Sequence, residues 1–281
     1  MESLVSTDWL AARLGEPGLV VVDASAHLPA AGRDAHAEFL AGHIPGARFL
    51  ALARLVDTAS DVPQALPQPE QLAHELALLG IGPGDRIVFY DDSAVKTAAR
   101  AWFLCRAHGI GNVAILDGGL AKWKTEGRAL ESGPTLAKLV EPMALSKPAR
   151  IRYKADMLAN IAHGSEQVLD ARDHGRFSGV VVDTVHNLPG GHIPGSCNLP
   201  FATLLREDGT FKPLDELRAA LEAAGIDLDR PIVTSCGSGV TACVLLFALH
   251  LVGREDTALY DGSWLDWGSD PATPKAVAPP Q

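Results

Sequence analysis

Gly42-His43-Ile44-Pro45-Gly46 returns unchanged as Gly191-His192-Ile193-Pro194-Gly195, and this repeated pentapeptide decides the reading of the fold. Other stretches recur around it in the same order. Val21-Val22-Asp23-Ala24 is echoed by Val168-Leu169-Asp170-Ala171, and Ile87-Val88 by Ile232-Val233. Leu116-Asp117-Gly118-Gly119, followed by Trp123, is echoed by Tyr260-Asp261-Gly262-Ser263, followed by Trp267. The offsets run from 144 to 149 residues, so the order is kept while loops change length. Two copies of this size mean duplicated domains, not a solenoid. A chain of 281 residues has room for two domains of about 130–150 each.

Each copy reads as an alternation of strands and helices. The runs LVVVDAS, DRIVFYD and NVAILDG are rich in β-branched residues and bounded by Gly, Pro and Asp, as buried parallel strands are. Helical stretches at 97–108 and 214–224 lie between such runs. The expected fold is therefore α/β, with two tandem domains that each hold a parallel sheet flanked by helices on both faces. We place the first domain at 1–133, a proline-containing linker at 134–149 and the second domain at 150–281. The Pro/Ala-rich tail, 271–281, is expected to lack regular structure.

Composition narrows the function. The net charge of −10 argues against a nucleic-acid or anionic-membrane surface. The longest apolar run, 240–252, is interrupted by His250 and is too short to span a bilayer. The start MESLVSTDWL lacks the basic n-region of a secretory signal. Four cysteines without a CxxC pair fit neither a zinc site nor a disulfide framework, so a cytoplasmic protein without metal or cofactor is expected.

The copies differ where chemistry is expected. Aligning the two Ile-Val pairs sets Asp91 opposite Cys236, which is followed by Gly237-Ser238-Gly239-Val240-Thr241 and an apolar helix. A cysteine at the end of a buried strand, before a glycine loop and a helix N-terminus, sits at the sheet edge where ligands bind. Backbone N–H groups of Gly237, Gly239, Val240 and Thr241 can converge there, and the helix dipole favours an anion. Cys236 is accordingly read as a nucleophile. The first domain, with Asp91 in its place, is read as catalytically silent.

These residues carry a resemblance. The chain resembles the two-domain rhodanese-type sulfurtransferases over nearly its whole length, and CGSGVTAC resembles the active-site loop of the 3-mercaptopyruvate sulfurtransferases among them. The resemblance implies transfer of sulfane sulfur from 3-mercaptopyruvate to a Cys236 persulfide, release of pyruvate, and delivery to a thiol, a thioredoxin-like protein or cyanide. It also implies that Arg176 binds the substrate carboxylate, the bland alternative being an arginine paired with Asp173. The second family arginine falls at Val185, with His186 beside it as a weaker, pH-dependent contact. Ser238, His43 and Asp34 match a proposed proton relay, although His43 recurs as His192, where a structural turn explains both.

Three other readings are weighed beside this one. Thiosulfate sulfurtransferases tend to carry basic loops, whereas Gly237-Ser238-Gly239 is neutral. A cysteine phosphatase would need an arginine where Ala242 stands. A non-catalytic rhodanese-like binding module agrees with the first domain and disagrees with Cys236 in the second.

Overall fold

β-Branched runs between Gly, Asp and Pro punctuation become the strands of two sheets in the computed structural model, which describes residues 1–277. In the first half the elements are β1 (Leu4–Val5), α1 (Thr7–Ala11), β2 (Leu19–Asp23), α2 (Ala35–Ala41), β3 (Arg48–Phe49), α3 (Pro69–Leu78), β4 (Arg86–Tyr90), α4 (Ala98–Ala107), β5 (Val113–Leu116) and α5 (Gly119–Thr125). In the second they are β6 (Ile151–Arg152), α6 (Lys154–His163), β7 (Gln167–Asp170), α7 (His174–Ser178), β8 (Cys197–Asn198), α8 (Leu214–Ala223), β9 (Ile232–Ser235), α9 (Ala242–Leu251), β10 (Thr257–Tyr260) and α10 (Ser263–Trp267). The sheet orders are β1-β5-β4-β2-β3 and β6-β10-β9-β7-β8, the same permutation twice, and every pairing is parallel. Val20 pairs with Ile87 and Ile87 with Val113; Gln167 pairs with Ile232 and Ile232 with Thr257. The duplication thus extends to register.

Strand side chains alternate between faces, so each sheet needs cover on both sides. On one face of the first sheet, Val21, Val88 and Ala114 pack with Leu10 of α1, Phe39 of α2, and Leu120 and Trp123 of α5. On the other, α4 lies against β4 and β5. In the second sheet, Val168, Val233, Ala258 and Tyr260 pack with Met157 of α6 and with Trp264 and Trp267 of α10. Helix α9 covers β9 and β10 and is buried from Ala242 through Leu249, which is why its sequence is apolar all round.

By contact, one unit comprises Met1–Asp57, Leu66–Ala149 and Glu207–Phe211; the other comprises Thr58–Ala65, Arg150–Arg206 and Lys212 onward. The segment 134–149, expected as a linker, therefore belongs to the first unit. Its backbone is tied there by Val140 N–H to Ala77, Ser146 N–H to His108 and Ala149 N–H to Ala107. The strands after the GHIPG turns are the short β3 and β8, and the two-residue edge strands β1 and β6 were not anticipated. In the tail, Ala276 forms an isolated bridge with His192. Residues 278–281, the end of that tail and of the second domain as read from sequence, lie outside the described residues.

Candidate active site

Cys236 follows the last residue of β9, a central strand of the second sheet, and is 2% exposed. The first turn of α10 fixes the start of its loop. Ser263 Oγ accepts the Cys236 N–H at 3.1 Å and donates to the Tyr260 carbonyl at 2.9 Å. The Cys236 carbonyl accepts the Trp264 N–H at 2.9 Å, and that of Gly237 accepts the Leu265 N–H at 2.8 Å. With these carbonyls engaged by α10, the N–H groups of Gly237, Ser238, Val240 and Thr241 have no protein acceptor among the described residues. Gly237 is buried and Ser238, Val240 and Thr241 are partly exposed, and N–H groups without a protein acceptor at a helix N-terminus suit an anion.

The first unit shows such a loop filled. Asp91 is 6% exposed, and its carboxyl oxygens accept the N–H groups of Ser93 at 2.9 Å and Ala98 at 2.8 Å. Burial raises its proton affinity, while the Ala98 N–H and the Lys96 charge pull the other way. Its carbonyl accepts the Leu120 N–H at 3.0 Å, matching the bond from Trp264 to Cys236. The counterpart of Ser263 is Gly119. Both have left-handed φ, 51° and 60°, a conformation that is costly for a residue with a Cβ. Ser263 accepts that strain at the one place where its hydroxyl reaches the cysteine N–H.

One wall of the site comes from residues 173–188. Arg176 donates through Nε to Asp173, the pairing named as its bland alternative, and its Nη1 lies 3.5 Å from Asp183 Oδ1. Nη2 makes no hydrogen bond among the described residues. Asp183 also faces His186 Nδ1 at 3.1 and 3.2 Å. Burial pushes the Asp183 carboxyl up; His186 and Arg176 outweigh it and hold the group down at about 2. The His186 ring lies flush against the loop, for a methyl group on Gly237 would fall 2.1 Å from its Cε1. Val185, where the second family arginine would stand, is 45% exposed and brings no charge.

The second unit thus brings Cys236, Gly237 and His186 together, with Asp183 linking His186 to Arg176. Ser238 is partly exposed and its hydroxyl has no hydrogen-bond partner among the described residues; Gly239 is buried with φ of 78°. Val240 and Thr241 lead into α9. In the first unit Asp34 and His43 have other occupations. Asp34 Oδ1 caps α2 by accepting the N–H groups of His36 and Ala37, each at 3.0 Å. His43 is buried, stacks on Phe39 at 4.0 Å, donates Nδ1–H to the Phe39 carbonyl at 2.7 Å and accepts from Thr135 at Nε2. His192 repeats this, stacked on Phe177 at 4.0 Å with Nδ1–H to the Phe177 carbonyl at 2.9 Å. Sequence reasoning missed Asp183 and Ser263. The change from Gly119 to Ser263 between the copies was a visible signal for the second; nothing local marked the first.

The Rhodanese-like domain family matches residues 6–126 and 154–270, and the chain belongs to that family. It is 38% identical to the human 3-mercaptopyruvate sulfurtransferase over 94% of its own length and 91% of that protein. A bovine thiosulfate sulfurtransferase is 37% identical over 94% of this chain and 91% of its own. A crystal structure of SseA from Escherichia coli, described with its rhodanese fold, superposes with a TM-score of 0.82 at 36% identity, covering 94% of this chain and 99% of that one. Among the described residues no helix is long and apolar enough to cross a membrane.

Proposed function

We propose that this protein moves sulfane sulfur from 3-mercaptopyruvate through a persulfide on Cys236 to a thiol acceptor or cyanide, releasing pyruvate. The observation that carries this reading is the Cys236 loop, with a thiol at its head and backbone donors left open, where Asp91 supplies the acceptor in the first unit. A persulfide anion, one atom longer than the thiolate, suits those donors. Arg176, with Nη2 still available, is the group to anchor the donor carboxylate. The neutral Gly237-Ser238-Gly239 stretch favours mercaptopyruvate over doubly charged thiosulfate, the runner-up, which a comparably similar relative keeps in view. The reading leaves Asp34 and His43 out of the chemistry, because a helix cap and a stacked turn already occupy them. A thioredoxin-like protein is a fitting acceptor. Four cysteines not joined by a disulfide among the described residues fit a reducing compartment such as the cytoplasm.

Mass spectrometry tests this directly. Incubation with 3-mercaptopyruvate should add one sulfur to Cys236, and Cys236→Ser should neither load nor turn over, since serine cannot store a persulfide. Turnover by Cys236→Ser would remove the nucleophile assignment. A tenfold preference of wild type for thiosulfate in kcat/KM would remove the donor while leaving sulfur transfer standing.

A further inference from the structure

Residues 183–188 form a closed turn. Asp183 and Leu188 exchange both backbone hydrogen bonds, at 2.9 and 3.1 Å, and Asn187 has φ of 55°. Within it the Asp183 carboxylate accepts the N–H groups of Val185 at 3.1 Å and His186 at 3.2 Å, besides facing the His186 ring. Asp183 is 0% exposed, and its contacts keep it ionised across the working range of an enzyme. A carboxylate at Nδ1 fixes the imidazole tautomer, with the proton on Nδ1 and the lone pair on Nε2. Nε2 has no hydrogen-bond partner among the described residues. It would lie 3.0 Å from a methyl on Gly237, the residue after the nucleophile. The Asp183 carboxylate holds this ring at Nδ1, and the N–H groups of Val185 and His186 hold the carboxylate in turn.

We propose that Asp183 and His186 form an acid–base dyad that carries the proton of sulfur transfer, with His186 Nε2 as the catalytic group and Asp183 as the positioning residue. This deepens the mercaptopyruvate reading and rests on it. When the Cys236 thiolate attacks the donor sulfur, an S–S bond forms and the C–S bond breaks. The bonding pair stays on carbon as the enolate of pyruvate. The donor S–H proton must leave sulfur, and the enolate must gain one. Nε2 takes the first and returns the second, so the dyad ends as it began and no outside acid or oxidant is needed. Thiosulfate makes no such demand, since sulfite departs as a stable anion without proton transfer. The charged and titratable groups around the imidazole are Asp183 on its own turn, Arg176 and Asp173 of α7 and its cap, and Cys236 of the loop.

The test compares the two donors. For His186→Gln, kcat with mercaptopyruvate should fall about 100-fold with a much smaller change in KM, as loss of a general acid–base group predicts. The ratio of mercaptopyruvate to thiosulfate turnover should fall by a similar factor. His186→Ala opens space for free imidazole, which should restore part of the mercaptopyruvate rate. Asp183→Asn should lower the same ratio less steeply, and melting curves show whether each variant is folded. A ratio within about threefold of wild type in His186→Gln, an effect confined to KM, or no imidazole rescue overturns the dyad. If wild type itself takes no sulfur from mercaptopyruvate, the functional reading falls first and the dyad with it, an outcome visible before any variant is made.

Discussion

Replacing Gly237 with alanine tests the contact between loop and wall. The new methyl would sit 2.1 Å from His186 Cε1 and 3.0 Å from both ring nitrogens. Ordinary carbon contacts lie at about 3.5–4.0 Å, so the ring must retreat by roughly 1.5 Å. Gly237 itself is not among the residues of left-handed φ, so its backbone has no objection to alanine and the clash stands alone. The ring cannot retreat that far and keep Nδ1 at 3.1–3.2 Å from Asp183. Losing a hydrogen bond to a charged group costs about 1.5–3 kcal/mol. At roughly 2–4 °C per kcal/mol for a chain of this size, the melting point should drop by several degrees. A displacement of about 1 Å in a catalytic group can cost on the order of 100-fold in rate. Single-turnover loading of Cys236 from 3-mercaptopyruvate, followed by mass spectrometry beside thermal melting, reads both effects. Gly42→Ala is the control, because φ there is −179° and the methyl would meet Leu130 at an ordinary 3.5 Å. Wild-type melting and loading in Gly237→Ala would refute the contact and the argument built on it.

Arg176→Ala should raise KM for mercaptopyruvate and lower kcat/KM about 100-fold, the equivalent of roughly 2–3 kcal/mol for a lost charge-assisted pair; an unchanged KM would free Arg176 from carboxylate binding. Asp23 has its carboxyl pushed up to about 6, chiefly by burial. The folded state then binds more protons than the unfolded state between about pH 4 and 6, so stability should fall as pH rises through that window, by on the order of 3 kcal/mol. Asp23→Asn should flatten this slope in urea titrations run at pH 4 and 7, and an identical slope in the variant would exclude Asp23 as its source.

The duplicated architecture was legible because its markers are local: GHIPG, the Val-rich strand ends and the DGG and DGS turns each keep their meaning within a few residues. Cys236 was legible for the same reason, as a strand end running into glycines. The edge strands β1 and β6 were not, since Leu4–Val5 and Ile151–Arg152 are too short to carry a period and exist only because β5 and β10 offer partners. Asp183 was hidden because its importance comes from the closure of the 183–188 turn, which brings Arg176 and His186 to one carboxylate. Ser263 could be seen as a departure from glycine, but its meaning needs the left-handed φ and the Cys236 N–H. For His43, recurrence at His192 was the useful signal: the same stack on phenylalanine and the same Nδ1 bond appear in both copies.

The Asp91 loop gives the chain an internal reference state. Its carboxyl accepts the N–H groups of Ser93 and Ala98, so this loop carries its own acceptor as a side chain. On the proposed reading, a persulfide on Cys236 would take the part that the Asp91 side chain plays in the first unit. A loop that holds its acceptor as a side chain has no use for a ligand, whereas a loop headed by a thiol leaves that acceptor to come from a donor molecule, as the proposed reaction requires.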